Sequence, residues 1–122
     1  ANFGITAAVL EMLVFSAPGM VKLLPALPTI WEKGRVAGIL CRGGIEVSIE
    51  WATYEGSVEA TLVSQTAQEV IVRFPAPVVS VTCKGGGKLS ASPYGAAYRR
   101  LRLPAKRPVK LTAWLSTVPS RS

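Results

Sequence analysis

Histidine and aspartate do not occur in this chain of 122 residues. Their absence excludes Ser-His-Asp triads, imidazole-built metal centres and aspartate-rich calcium loops. Cysteine is scarce, with Cys41 and Cys83 as the only two thiols. Two soft ligands are too few for a four-ligand zinc site, so the pair forms either one disulfide in an oxidising compartment or two buried free thiols. Charged residues make up 17% against 49% hydrophobic residues, a balance that belongs to a folded module and not to a disordered one. Long apolar runs are missing as well. The longest, from Ile5 to Phe15, contains Glu11 and stops at Pro18, short of a membrane span. No metal and no cofactor is expected, and the length suits one domain with a single core.

What the sequence does have is a divided charge. Residues 1–69 hold all seven acids, every one a glutamate, and four bases, a net of −3, whereas residues 70–122 hold ten bases and no acid. A cationic C-terminal half can meet acidic glycans, nucleic acid or anionic membranes, or balance an acidic partner domain.

Asn2 offers an N-cap, and Ala7, Ala8, Leu10, Met12 and Leu13 suit a helix that is apolar on nearly every face. The expectation is one α-helix within residues 1–20, running to Phe15 and closed by Pro18-Gly19, with Val9, Leu10, Leu13 and Phe15 contacting a further domain or a second copy of the chain. A free chain with such a helix is expected to form a homodimer. Residues 21–35 form a Leu-Pro-Ala-Leu-Pro hinge with Trp31 beside it. Over 36–118, turn signals recur at short intervals, and Ile45, Val47, Ile49 and Trp51 alternate strictly with Glu46, Ser48 and Glu50. Strands are expected at 36–42, 45–51, around 58–62, and at 70–74, 78–83, 98–103 and 109–115, with 84–97 as a long loop and 119–122 as a tail. The fold class is mainly β: an antiparallel β-sandwich, immunoglobulin- or fibronectin-like in general architecture, preceded by one N-terminal α-helix.

An ordered string of motifs adds a resemblance. Asn2-Phe3-Gly4, Thr6-Ala7-Ala8, Glu11-Met12-Leu13, Leu24-Pro25-Ala26-Leu27-Pro28, Trp31, Gly34, Val36, Gly38, Arg42-Gly43-Gly44 and Glu46-Val47 resemble the end of a family 95 glycoside hydrolase, the α-L-fucosidase and α-L-galactosidase group. The match is strong over about the first half of the chain and fades beyond it. The resemblance implies a helical barrel that carries the active site and precedes a small β-domain, with the catalytic carboxylate just before the Asn-Phe-Gly motif. Asn2 would border that site, and the chain alone would be inactive and extracellular. Ile5 stands where the family commonly has a second glycine, and Phe15-Ser16-Ala17 where Gln-Ser-His is usual, so sugar contacts inherited from this segment are in question. The alternative is a stand-alone small secreted β-sandwich that binds carbohydrate as a homodimer, lectin-like or similar in architecture to the fungal immunomodulatory proteins.

Three constellations offer chemistry. If Trp51 pairs with Val58 and Ile49 with Ala60, Glu50 stands beside Glu59 with Cβ atoms roughly 5 Å apart, close to the carboxyl separation of about 5 to 5.5 Å in a retaining glycosidase. On a flat strand face without a pocket, a solvated pair is the better expectation, with Arg73 available to neutralise it. Sugar rings stack on exposed aromatic faces, and Trp114, out of phase with Val109, Leu111, Ala113 and Leu115, is the leading candidate, followed by Tyr94; Trp51 falls on the core face. Arg99, Arg100 and Arg102, continued by Lys106 and Arg107, are the candidate anion site for phosphate or sulfate. Arg100 and Arg102 share one face and Arg99 points to the other. Nothing supplies base-edge readout, so specific nucleic-acid binding is not expected.

Overall fold

The computed structural model describes residues 14–17, 19–23, 33–52 and 56–116. These residues form ten strands and, among them, no helix: β1 (Val14–Ala17), β2 (Met20–Leu23), β3 (Lys33–Cys41), β4 (Ile45–Ala52), β5 (Ser57–Ser64), β6 (Gln68–Arg73), β7 (Val78–Lys84), β8 (Lys88–Ala91), β9 (Tyr98–Leu103) and β10 (Pro108–Leu115). A front sheet has the order β3-β4-β5-β10-β7, and a back sheet the order β1-β2-β6-β9-β8. All pairings are antiparallel except that of β2 with β6, which is parallel.

Binary pattern decides the two layers. On β4, Ile45, Val47, Ile49 and Trp51 are buried, and on β5 so are Val58, Ala60 and Leu62, because side chains alternate across a strand and only one face meets the other sheet. Trp51 pairs with Val58 and Ile49 with Ala60, the register that their shared apolar face anticipated. The back sheet contributes Val21, Leu23, Val70, Val72, Leu101 and Leu103 to the same core cluster. Each such side chain stabilises the fold by about 1.5–3 kcal/mol on burial. Gly34 lies opposite Trp51, and a Cβ there would come within 2.7 Å of the indole Cζ2. The glycine is therefore the space that the ring occupies.

One end of the molecule is tied by Ser64, the buried polar side chain of the core. Its Oγ donates to the Thr66 carbonyl at 2.5 Å and accepts from Gln68 Nε2 at 2.7 Å. Gln68 Nε2 also donates to the Gly43 carbonyl at 2.8 Å, and Lys106 N donates to the Ser64 carbonyl at 2.6 Å. Three connections are thereby joined: β3–β4, β5–β6 and β9–β10. The Arg42-Gly43-Gly44 motif is part of this joint.

The N-terminal helix expected to run to Phe15 is not found where the structure describes the chain. Val14–Ala17 is a strand paired with Met20–Leu23, and Val14 is buried in the core. Pairing with β2 and burial outweigh the helical propensity of this stretch, as tertiary context commonly does. Residues 1–13, including Asn2, Val9, Leu10 and Leu13, lie outside the described residues, as do Trp31 and most of the hinge. The expected loop at 84–97 contains β8. It is an edge strand with only Leu89 turned partly inward, so it carries no alternation to recognise.

Candidate functional site

The outer face of the back sheet gathers cations from four adjacent strands. Lys22 of β2 sits beside Arg73 of β6. Arg73 in turn faces Tyr98, Ile71 faces Arg100, and Glu69 faces Arg102. Lys88 of β8 completes the row next to Arg102. These residues alternate with the buried Val21, Val70, Val72, Leu101 and Leu103, so they share the outer surface. Among the described residues, five bases, Lys22, Arg73, Lys88, Arg100 and Arg102, share that face with one acid, Glu69. Neighbouring rows are about 4.8 Å apart across strands and about 7 Å apart along them. The Arg73 guanidinium carbon lies 5.9 Å from the Tyr98 ring centroid, within cation–π range. Its Nε is buried and has no hydrogen-bond partner among the described residues. Tyr94, 62% exposed, stands with its ring centroid 5.6 Å from that of Tyr98.

Arg99 points to the opposite side, in register with the buried Val72. Its Nη1 donates to the Tyr98 carbonyl at 2.8 Å and the Ala96 carbonyl at 3.1 Å. The side chain lines a cleft of about 510 Å³ with Val81, Leu89, Ala91 and Ala96, between the free edges of β7 and β8. Lys106 and Arg107 lie on the turn between β9 and β10, next to the Ser64 joint. The five basic residues singled out in the sequence are thus spread over three places. The structure instead joins Arg100 and Arg102 to Lys22, Arg73 and Lys88. Strand parity gave the split of Arg99 from Arg100, but only the strand order β2-β6-β9-β8 gives the other three.

The front sheet carries the glutamate pair. Glu50 is directly opposite Glu59, as the register predicted. Arg35 faces Glu50 from β3, and Lys110 Nζ approaches Glu59 Oε1 at 3.5 Å. The ion pair to this glutamate couple comes from Lys110, with Arg35 as the cross-strand neighbour of Glu50, and not from Arg73, which lies on the other sheet. The pair stands on an open strand face with Glu50 exposed, without the enclosing pocket that a substrate-binding acid pair needs. Trp114 is on the same face and 47% exposed, as its phase implied, and Val79, at the β7 bulge beside it, is 70% exposed.

Cys41 and Cys83 are not joined in a disulfide. They lie on β3 and β7, the opposite edges of one sheet, four strand spacings and so at least about 19 Å apart at about 4.8 Å per strand, whereas a disulfide needs Cα atoms roughly 4.4–6.8 Å apart. The pairing would require those strands to face each other across the core, and they do not. Burial against the core raises the pKa of the Cys83 thiol.

Two layers of β-strands with charged outer faces define a small β-domain. Residues 15–102 match the family described as Glycoside hydrolase family 95, C-terminal domain, and the chain belongs to that family. Similar proteins include Alpha-L-fucosidase 2 of Arabidopsis thaliana, 56% identical over 52 residues, or 42% of this chain and 6% of that protein. Probable alpha-fucosidase A of Aspergillus oryzae is 40% identical over 85 residues, or 59% of this chain and 12% of that protein. The chain spans only these small fractions of the relatives it matches.

Proposed function

We propose that this chain is a non-catalytic β-sandwich that closes and supports the catalytic part of an α-L-fucosidase-like enzyme, and that its front sheet is the face that meets that part. The observation that carries this reading is the family match over residues 15–102. Three of the four large hydrophobic side chains most exposed among the described residues, Leu40, Val79 and Trp114, belong to front-sheet strands, which favours that sheet as the one to be covered. Its outer charges nearly cancel, with Lys33, Arg35, Lys84 and Lys110 against Glu46, Glu50 and Glu59. Secretion belongs to the same proposal and follows from the family resemblance. A stand-alone dimeric binding protein draws no support from the match, and part of the helix on which the dimer rested is strand β1.

The test is hydrolysis of an aryl α-L-fucoside. The chain as it stands is expected to give no turnover above buffer, because Glu50 and Glu59 lie on an open face with cations beside them. Turnover that disappears in Glu50→Gln would overturn this reading and make the glutamate pair a site.

A further inference from the structure

We propose that the cleft between the free edges of β7 and β8 binds a small organic monocarboxylate, its charged group held by Arg99 and its apolar body lying against Val81, Leu89 and Ala91. Arg99 stands where the strand pattern calls for a core residue. It continues the inward row of Leu101 and Leu103 along β9, its neighbours in register are Val72 on β6 and Ala91 on β8, and it lines the cleft of about 510 Å³. A charge on the inner side of a sandwich breaks the local rule, and such breaks gather at functional sites.

The guanidinium is also fixed in its plane. Nη1 donates to the Tyr98 carbonyl at 2.8 Å and to the Ala96 carbonyl at 3.1 Å, which uses both of its hydrogens. The other donors, on Nε and Nη2, have no hydrogen-bond partner among the described residues, and water reaches them, since Arg73 Nε is the one buried side-chain nitrogen there without a partner. Along one edge of the plane Nε–H and Nη2–H form the parallel pair that a carboxylate accepts side by side. The residues lining the cleft include no acid, and residues 70–122 contain none, so no neighbouring carboxylate competes for that edge. An inward charge beside an open sheet edge also guards against pairing with other chains. That role needs only the charge, not a guanidinium held in one plane. The volume is ordinary for a small-molecule site, and Val81 and Leu89, packed against the core, give the cleft an apolar wall. Ser90, Ser92 and Gly95 complete it without a second charge, which suits a ligand with one carboxylate on a compact apolar body.

The cleft lies between the sheets and not on the outer face of the front sheet, so this proposal stands or falls apart from the reading of that face as a domain contact. The test uses the full chain as its gene encodes it, titrated calorimetrically with cyclohexanecarboxylate, its amide and acetate at constant ionic strength. Cyclohexanecarboxylate is expected to bind. The amide is expected to bind at least about tenfold more weakly, for want of the charge-assisted pair, and acetate also more weakly, for want of an apolar body. Arg99→Lys keeps the charge but loses the paired donors, and is expected to weaken binding at least about tenfold. Ala91→Phe, at an exposed position, fills the cleft and is expected to abolish binding. Melting temperatures show whether both variants remain folded, and Ala91→Phe carries the test if the lysine variant does not. Equal binding by Arg99→Lys would leave Arg99 an edge guard and overturn the proposal. Equal binding of the amide, undiminished binding by Ala91→Phe, or no binding of cyclohexanecarboxylate by the full chain would each overturn it as well.

Discussion

On the front sheet Glu50 and Glu59 stand together, and each has a base at hand: Arg35 opposite one and Lys110 3.5 Å from the other. On the back sheet Arg73 stands beside Lys22, and Arg102 beside Lys88, with Glu69 as the acid between them on the described face. Both faces arise from the same strand alternation over one core, so the fold does not require the difference. A sheet's inner face is fixed by packing, and its outer face is free to record what it meets. By that criterion the front face, nearly neutral and bearing Trp114 and Val79, is the better suited to burial against protein.

The largest expected effect comes from removing what the two faces share. Trp51 is 5% exposed, and Trp51→Ala should cost about 3–5 kcal/mol, read by denaturant unfolding. Trp114→Ala in the chain as it stands should cost less than about 1 kcal/mol, as a surface substitution does, and a comparable loss at both positions would erase the distinction between core and outer face. Ser64→Ala should destabilise by about 1–3 kcal/mol, because Gln68 and the Thr66 amide lose their buried acceptor. Gly34→Ala is expected to cost about 1–3 kcal/mol through overpacking against Trp51.

Smaller effects sharpen the contrast in charge. Glu69→Lys adds a sixth cation to the back face and should destabilise by about 0.2–1 kcal/mol at low salt, with the loss fading at high salt. Glu59→Gln on the front face both releases Glu50 from repulsion and deprives Lys110 of its partner, so its net effect should be close to zero. The pair is exposed, and such pairs contribute at most about 1 kcal/mol. Cys83 gives the smallest signal and a defined sign. Its thiol is held protonated by burial, so the stabilisation is complete below the ordinary thiol pKa and is lost as pH rises through the higher folded value. Alkylation should therefore need a more alkaline pH at Cys83 than in the unfolded chain, and Cys83→Ser should reduce the difference in stability between pH 8 and pH 10.

The front sheet was largely legible because its strands alternate cleanly: Ile45 to Trp51 named their own inner face, and the Glu50–Glu59 contact followed from parity. The exposure of Trp114 followed in the same way. The back sheet was not legible as a unit. Its edge strands are short, β1 lies in a stretch with helical propensity, and β8 has one residue turned to the core. Sequence distance separates Lys22 from Arg73 and Arg102, and nothing local indicates that β2 runs parallel to β6. The basic face was therefore seen as one run, Arg99 to Arg107, when its real members come from four strands. The cysteine pairing failed for the same reason, since strand order and not strand identity sets whether two edges meet.

Side-chain footprinting of the full-length protein beside the chain as it stands tests the assignment of the two faces most directly. Trp114, 47% exposed in this domain, and Tyr94, 62% exposed, report on the front face and on the border of the back face in one experiment. Oxidative labelling of Trp114 is expected to fall at least about fivefold in the full-length protein, as for a surface group buried at a domain interface, while labelling of Tyr94 is unchanged. Labelling of Trp114 at the same rate in both proteins, with Tyr94 protected instead, would contradict that assignment.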